Sequence, residues 1–220
     1  MTVHDIARRL PGIPALRDHC RALAMAEAVV NPEEAYRRHR FDAHWSDTEE
    51  LASMDNGAGD DYSIVFSAAG AYIRGFDHES PMSPYVDDRP WPGVLDEVPE
   101  VFRPYVTEPA FSEVEGLPCV TACLWRESAD DAWRAGTIRF PEGADDPDGS
   151  GYLFELLVDR SPEAFRGFAE DYYERPVDAA AVRHVLALRP LTDEVVAALN
   201  PEVSLADLAD DIARIGYPRG

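Results

Sequence analysis

Two short runs of strand-like residues, close enough to pair, constrain this chain more than anything else in it. Tyr62, Ile64 and Phe66 alternate with Ser63, Val65 and Ser67, which is the period of an extended strand. A second run, Tyr72-Ile73-Arg74-Gly75-Phe76, follows after Ala68-Ala69-Gly70. So short a loop with glycine in its last position predicts an antiparallel hairpin in which Gly70 supplies a left-handed residue. A hairpin brings whatever precedes its first strand beside whatever follows its second. Asp55, Asn56, Asp60 and Asp61 stand at the entry, and Asp77, His78, Glu79 and Ser80 at the exit. The densest group of chemically capable side chains is therefore expected at one end of the hairpin.

The rest of the chain supplies partners for that hairpin. Leu16, Cys20, Leu23 and Val30 recur at helical spacing, and Pro14 suits a first turn, so the pattern predicts a helix over 14–30. A short helix is expected after Asn31-Pro32, and residues 40–45 and 50–54 read as strands extending the sheet. Residues 81–118 are rich in proline and lack periodicity, which predicts an irregular cover with short helices at 92–97 and 99–105. Trp91, Phe102, Tyr105 and Phe111 are placed to seal that segment onto the sheet, where it would wall a cleft beside His78. Further strands are expected at 119–125 and 133–140, and a surface loop at 142–150. Beyond Gly151 helical spacing dominates, with starts at Ser161-Pro162, Asp178, Thr192 and Ser204. The face formed by Phe165, Phe168, Ala169, Tyr172 and Tyr173 reads as core. The expected architecture is one α+β domain over 1–220, with an N-terminal helix, a sheet-containing core at about 36–140 and a helical section at about 151–217.

Charge narrows the chemistry. Twenty basic residues face 42 acidic ones for a net charge of −22, and every basic residue is arginine. Without lysine there is no Schiff-base nucleophile, no Walker A loop and no kinase-type phosphate lysine. So acidic a chain is not expected to bind nucleic acid unaided, and its field suits a basic protein partner. Arg37, Arg38, His39 and Arg40 form the one basic cluster, expected to pair with the chain's own carboxylates. Cys20, Cys119 and Cys123 do not make a disulfide framework. On one strand the latter two would stand roughly 13 Å apart, too far to bridge. No apolar run reaches the ~20 residues of a membrane span and no signal-peptide core is visible, so a cytoplasmic location without membrane attachment is expected.

Recognised catalytic patterns fail one by one. Gly57-x-Gly59 is followed by a strand and lacks a third glycine at Tyr62, His78-Glu79 lacks a second histidine at Met82, and no G-x-S-x-G elbow occurs. The acidic run 142–150 does not match an EF-hand loop. What survives is a constellation of Asp55, Asp60, Asp61, Asp77, His78 and Glu79. Its carboxylates and imidazole suit a hard divalent ion that activates water, with Arg74 neutralising an anionic substrate. The catalytic candidates are Asp77, His78 and Glu79; Asp55, Asn56, Asp60, Asp61, Arg74 and Trp91 are candidate binding residues. The alternative is turn chemistry, with His78 bonded to backbone and Arg74 paired to a neighbouring acid.

The segments SMDNGAGD, IRGFDHESPMSPY, WPGV and EPAF resemble those of a group of uncharacterised bacterial proteins over about residues 15–175. That resemblance implies a shared fold and carries across neither an activity nor a catalytic residue. In size and acidity the chain is also similar to immunity proteins of bacterial toxin systems, a likeness of gross character without a motif. The expectation is an acidic, non-enzymatic interaction protein of immunity-like type that needs no cofactor; the alternative is a metal-dependent hydrolase built on the hairpin end.

Overall fold

The computed structural model describes residues 1–111 and 116–220. It is an α+β protein whose five strands are hydrogen-bonded in chain order as an antiparallel sheet: β1 (His39–Asp42), β2 (Glu50–Asp55), β3 (Asp61–Ser67), β4 (Gly70–Phe76) and β5 (Ala122–Glu127). The chain divides into two compact units, each assembled from separated stretches. One comprises Met1–Ile13 and Ser53–Val158, the other Pro14–Ala52 and Asp159–Gly220.

In the first unit the β3–β4 hairpin forms in the register its alternation predicts, with Ile64 opposite Ile73 and Asp61 opposite Phe76. Ser67 pairs with Gly70, leaving only Ala68 and Ala69 to turn the chain. Gly70 has φ +140°, and a Cβ there would lie 2.1 Å from the Arg126 carbonyl oxygen on β5. Both the turn and the close strand approach therefore demand glycine. All of β4 is buried, flanked by β3 and β5. Arg74 lies within it because its guanidinium is fully engaged: it forms a bidentate pair with Asp61 and donates from Nε to the Cys119 carbonyl at 2.8 Å. The proline-rich segment covers the sheet as expected, with Phe102 and Tyr105 both against Tyr72 and Phe111 buried.

Three expectations for this unit need correction. Residues 92–97 are not helical: Gly93 adopts φ +90° and its N–H donates to Asp96, which fixes a turn. The second short helix, expected at 99–105, is present as a 3₁₀ turn at Glu100–Phe102 that runs into α3 (Arg103–Val106). Residues 133–140 make only one bridge to β5, between Trp125 and Arg134. Side chains take the polar groups that a strand would have paired: His4 Nε2 bonds the Gly136 carbonyl and Glu97 accepts from the Thr137 N–H. The run 142–150 ends inside the unit rather than on its surface. Asp148 is fully buried, accepting from the Val3 N–H at the start of α1 (Val3–Arg9) and from Ser150 at the start of α4 (Ser150–Leu153). The short α5 (Glu155–Val158) follows.

In the second unit α2 (Ile13–Val30) is buried at every residue from Ala22 to Val30. The C-terminal helices start where their capping residues predict. Ser161 accepts from Ala164 to open α6 (Pro162–Tyr173), Asp178 from Ala181 to open α7 (Ala179–Leu186), and Thr192 from Val195 to open α8 (Asp193–Leu199). The final helix, α9 (Ala209–Ile215), begins later than Ser204, whose hydroxyl instead bonds Asp207 in a turn. The basic cluster pairs internally: Arg37 makes two bonds to Asp211 on α9, and Arg38 stacks over Tyr172 at 4.2 Å. All three cysteines are buried thiols. Among the described residues no helix is long and apolar enough to cross a membrane.

Candidate functional site

Because Asp61 and Phe76 are the last pair of the hairpin, Asp60 and Asp77 leave it side by side. Asp60 is the hub. Its Oδ1 accepts from the His78 N–H at 3.0 Å and from the His78 ring Nδ1 at 2.6 Å, while its Oδ2 accepts from the Asn56 amide at 2.6 Å. Asn56 is held in turn by its own loop, where its Oδ1 accepts from the N–H groups of Ala58 and Asp60. The Asn56 amide also reaches the exposed Tyr152 hydroxyl at 3.2 Å. Asp77 is anchored through its N–H to Thr121 Oγ1 at 3.1 Å. Gly149 lies against its side chain: a Cβ on Gly149 would sit 2.4 Å from the Asp77 Cβ.

These contacts separate the three groups electrostatically. Burial alone would raise the Asp60 carboxyl, but the His78 and Asn56 hydrogen bonds outweigh it and hold the group below its ordinary range. The bond to Asp60 raises His78, so the imidazolium persists to higher pH than in a free histidine. Desolvation raises Asp77, and the neighbouring Asp60 charge adds to the effect. One donor atom from each of Asp60, Asp77 and His78 lies within 4.8 Å of the others, close enough to share one ion.

The remaining sequence candidates are occupied elsewhere. Asp61 is bound by Arg74, so Arg74 is not an available charge for an anionic substrate. Asp55 accepts from the Gly57 N–H to shape the turn. Glu79 donates its N–H to Asp77, and its own side chain points outward as an exposed group. Trp91 donates to the Arg139 carbonyl at 3.1 Å. His78 is bonded to a carboxylate rather than to backbone carbonyl, which corrects the turn-chemistry alternative for that residue.

Two features of the second unit stand apart from the sequence reading: helical spacing sets Glu27 on the polar face of the 14–30 helix with Arg17, Asp18 and Arg21, which the structure corrects, and a pocket lies near it. Glu27 is completely buried in α2: burial opposes its charge, but the His39 imidazole, its N–H and the Tyr173 hydroxyl together hold the carboxyl below its ordinary range. The Tyr173 bond is 2.7 Å and the His39 Nδ1 bond 3.0 Å. A glutamate inside the apolar run AMAEAVV was the available signal, since a lone charge among residues bound for the core needs partners. Beside it lies an open pocket of about 500 Å³, whose walls include Tyr36, Tyr172 and Tyr173.

Fold and site define an α+β protein with a carboxylate–imidazole cluster at the end of its central hairpin. No protein-family model matches this chain, and neither a curated protein nor a solved structure is found to be similar to it.

Proposed function

We propose that this chain is a non-enzymatic, acidic interaction protein of immunity-like type whose partner is basic. The observation that carries the reading is the carboxylate surplus: 42 acidic residues against 20 arginines. Internal pairing leaves that surplus unchanged, because Arg21, Arg37, Arg74 and Arg214 are each held by carboxylates of the same chain, one charge of each sign per pair. Asp87, Asp88, Asp145 and Asp210 stay exposed. Complementary charge speeds encounter with a basic surface and is screened over about 8–10 Å at ordinary salt. Asp60 and Asp61 are the wrong groups to neutralise in a test, since both are engaged inside the unit. The experiment is calorimetric titration against a panel of small, basic bacterial toxin domains at low and high salt. A saturable one-to-one complex that weakens at least about tenfold between roughly 50 and 300 mM salt is expected. Absence of any saturable complex, or one indifferent to salt, would overturn the reading.

A second reading, divalent-metal-dependent hydrolysis, is favoured by the convergence of Asp60, Asp77 and His78. The ion would displace the proton shared by His78 and Asp60, so binding must compete with an imidazole of raised basicity. Affinity for Mn²⁺ is then expected to fall as pH drops through the His78 titration, and His78→Ala to lower it at least about tenfold. Calorimetry with Mn²⁺ from pH 5.5 to 8 tests this. If no stoichiometric binding occurs at pH 8, the cluster is turn architecture alone.

A further inference from the structure

The pocket beside Glu27 combines three features that favour a cation. Its rim is built where three helices end: Val30 closes α2, Tyr173 closes α6, and Asn200 follows α8. Helix C-termini carry partial negative charge, and α2 is 18 residues long. Second, the exposed Glu33 and Glu202 flank the pocket, and among the described residues neither carboxylate has a hydrogen-bond or ion-pair partner. Third, Tyr36 and Tyr173 supply aromatic walls, with Tyr36 63% exposed and so open to a visitor, while Tyr172 in the same lining already carries Arg38 on its ring. The helix-end carbonyls are largely taken, by Arg175 at Leu199, by Arg37 at Asn31 and Pro32 and by Asn200 at Val30, so the free negative charge at the rim is that of Glu33 and Glu202.

We infer that this pocket receives an arginine side chain presented by the basic partner, an inference that rests on the proposed function above. A guanidinium suits it better than an ammonium, being planar enough to stack on tyrosine while donating two parallel bonds to a carboxylate. The same unit already uses that contact twice, with Arg38 over Tyr172 and Arg21 over Phe41 at 5.0 Å. At about 500 Å³ the pocket has room for the side chain and part of its flanking backbone.

The test is an amide NMR titration of the full chain with the capped peptide acetyl-Gly-Arg-Gly-amide, and with the same peptide carrying neutral citrulline. The arginine peptide is expected to give saturable shifts concentrated at residues 31–36, 172–175 and 200–202, and the citrulline peptide none. Tyr36→Ala and the pair Glu33→Gln, Glu202→Gln should each weaken binding by about three- to tenfold. All three positions are exposed, so these variants retain the fold. Equal binding of both peptides, shifts spread over other acidic surfaces, or undiminished affinity in both variants would overturn the inference. A basic toxin domain that binds wild type and both variants alike would leave the acidic-surface reading standing and remove only the pocket from it.

Discussion

Replacing Glu27 with alanine is expected to destabilise the folded chain by about 3–5 kcal/mol, the range for removing one member of a buried charged pair. The carboxylate accepts from the His39 N–H, the His39 ring and the Tyr173 hydroxyl. Deleting it strands the two donors of the buried His39, at about 1–3 kcal/mol for each unmet group before any relaxation, and leaves the part-buried Tyr173 hydroxyl without its acceptor. Glu27→Gln keeps the shape and one acceptor oxygen, so its loss should be smaller. The pH dependence has a definite sign. A carboxyl whose folded pKa is depressed contributes stability that is present above its unfolded pKa, near 4.5, and disappears as pH falls through the folded value. Urea denaturation should therefore show the gap between wild type and Glu27→Ala wide at pH 7 and narrowing below about pH 4.5. A gap that widened in acid would mean that Glu27 is held protonated in the fold. Tyr173 also walls the arginine pocket, so the alanine variant should disturb that wall as well as the core.

Local periodicity and capping carry far in this chain. The hairpin, the long helix α2 and the starts of α6, α7 and α8 were legible because each is fixed by neighbours a few residues away: alternation at 62–66, apolar spacing from Leu16, and the oxygens of Ser161, Asp178 and Thr192. Antiparallel geometry then made part of the site legible, since entry and exit of one hairpin share an end, and Asp60, Asp77 and His78 meet there. What the sequence could not rank was the competition among six polar side chains for partners. Asp60 and Asp61 are adjacent, yet they serve opposite faces of the strand start: one takes His78, the other takes Arg74. Long-range pairing decides the remainder. Asp148 looks like a loop aspartate until Val3, 145 positions away, turns out to donate to it. Residues 133–140 look like a strand until His4 and Glu97 claim their backbone groups. The pocket could not be foreseen for the same reason, because its lining is drawn from 30–36, 172–175 and 200–202.

Substituting Gly70 with alanine should cost several kcal/mol, by two additive routes. A side chain at φ +140° meets the backbone crowding that confines non-glycine residues to negative φ, on the order of 1–2 kcal/mol. The new methyl would then stand 2.1 Å from the Arg126 carbonyl oxygen and 2.8 Å from the Glu127 Cα, and neither can rotate away as a side-chain end could. Relief requires β5 to move off β4, against the pairing that runs from Gly70–Glu127 to Gly75–Ala122. Overpacking of this kind adds about 1–3 kcal/mol. For a chain of 220 residues each kcal/mol lowers the midpoint by roughly 2–4 °C, so thermal unfolding should shift down by about 4–20 °C. The position of the change makes it informative about the site. Gly70 lies at the turn end of the hairpin and the Asp60–His78 pair at the open end, with the full seven-residue ladder between them. If β3 and β4 move as one rigid ribbon, the His78 imidazole should keep its raised titration midpoint in the variant even as stability falls. NMR titration of the histidine ring measures this directly. A return of His78 to ordinary basicity would show that the carboxylate–imidazole geometry depends on correct closure of the hairpin at its far end, and that fold and site cannot be separated in this unit.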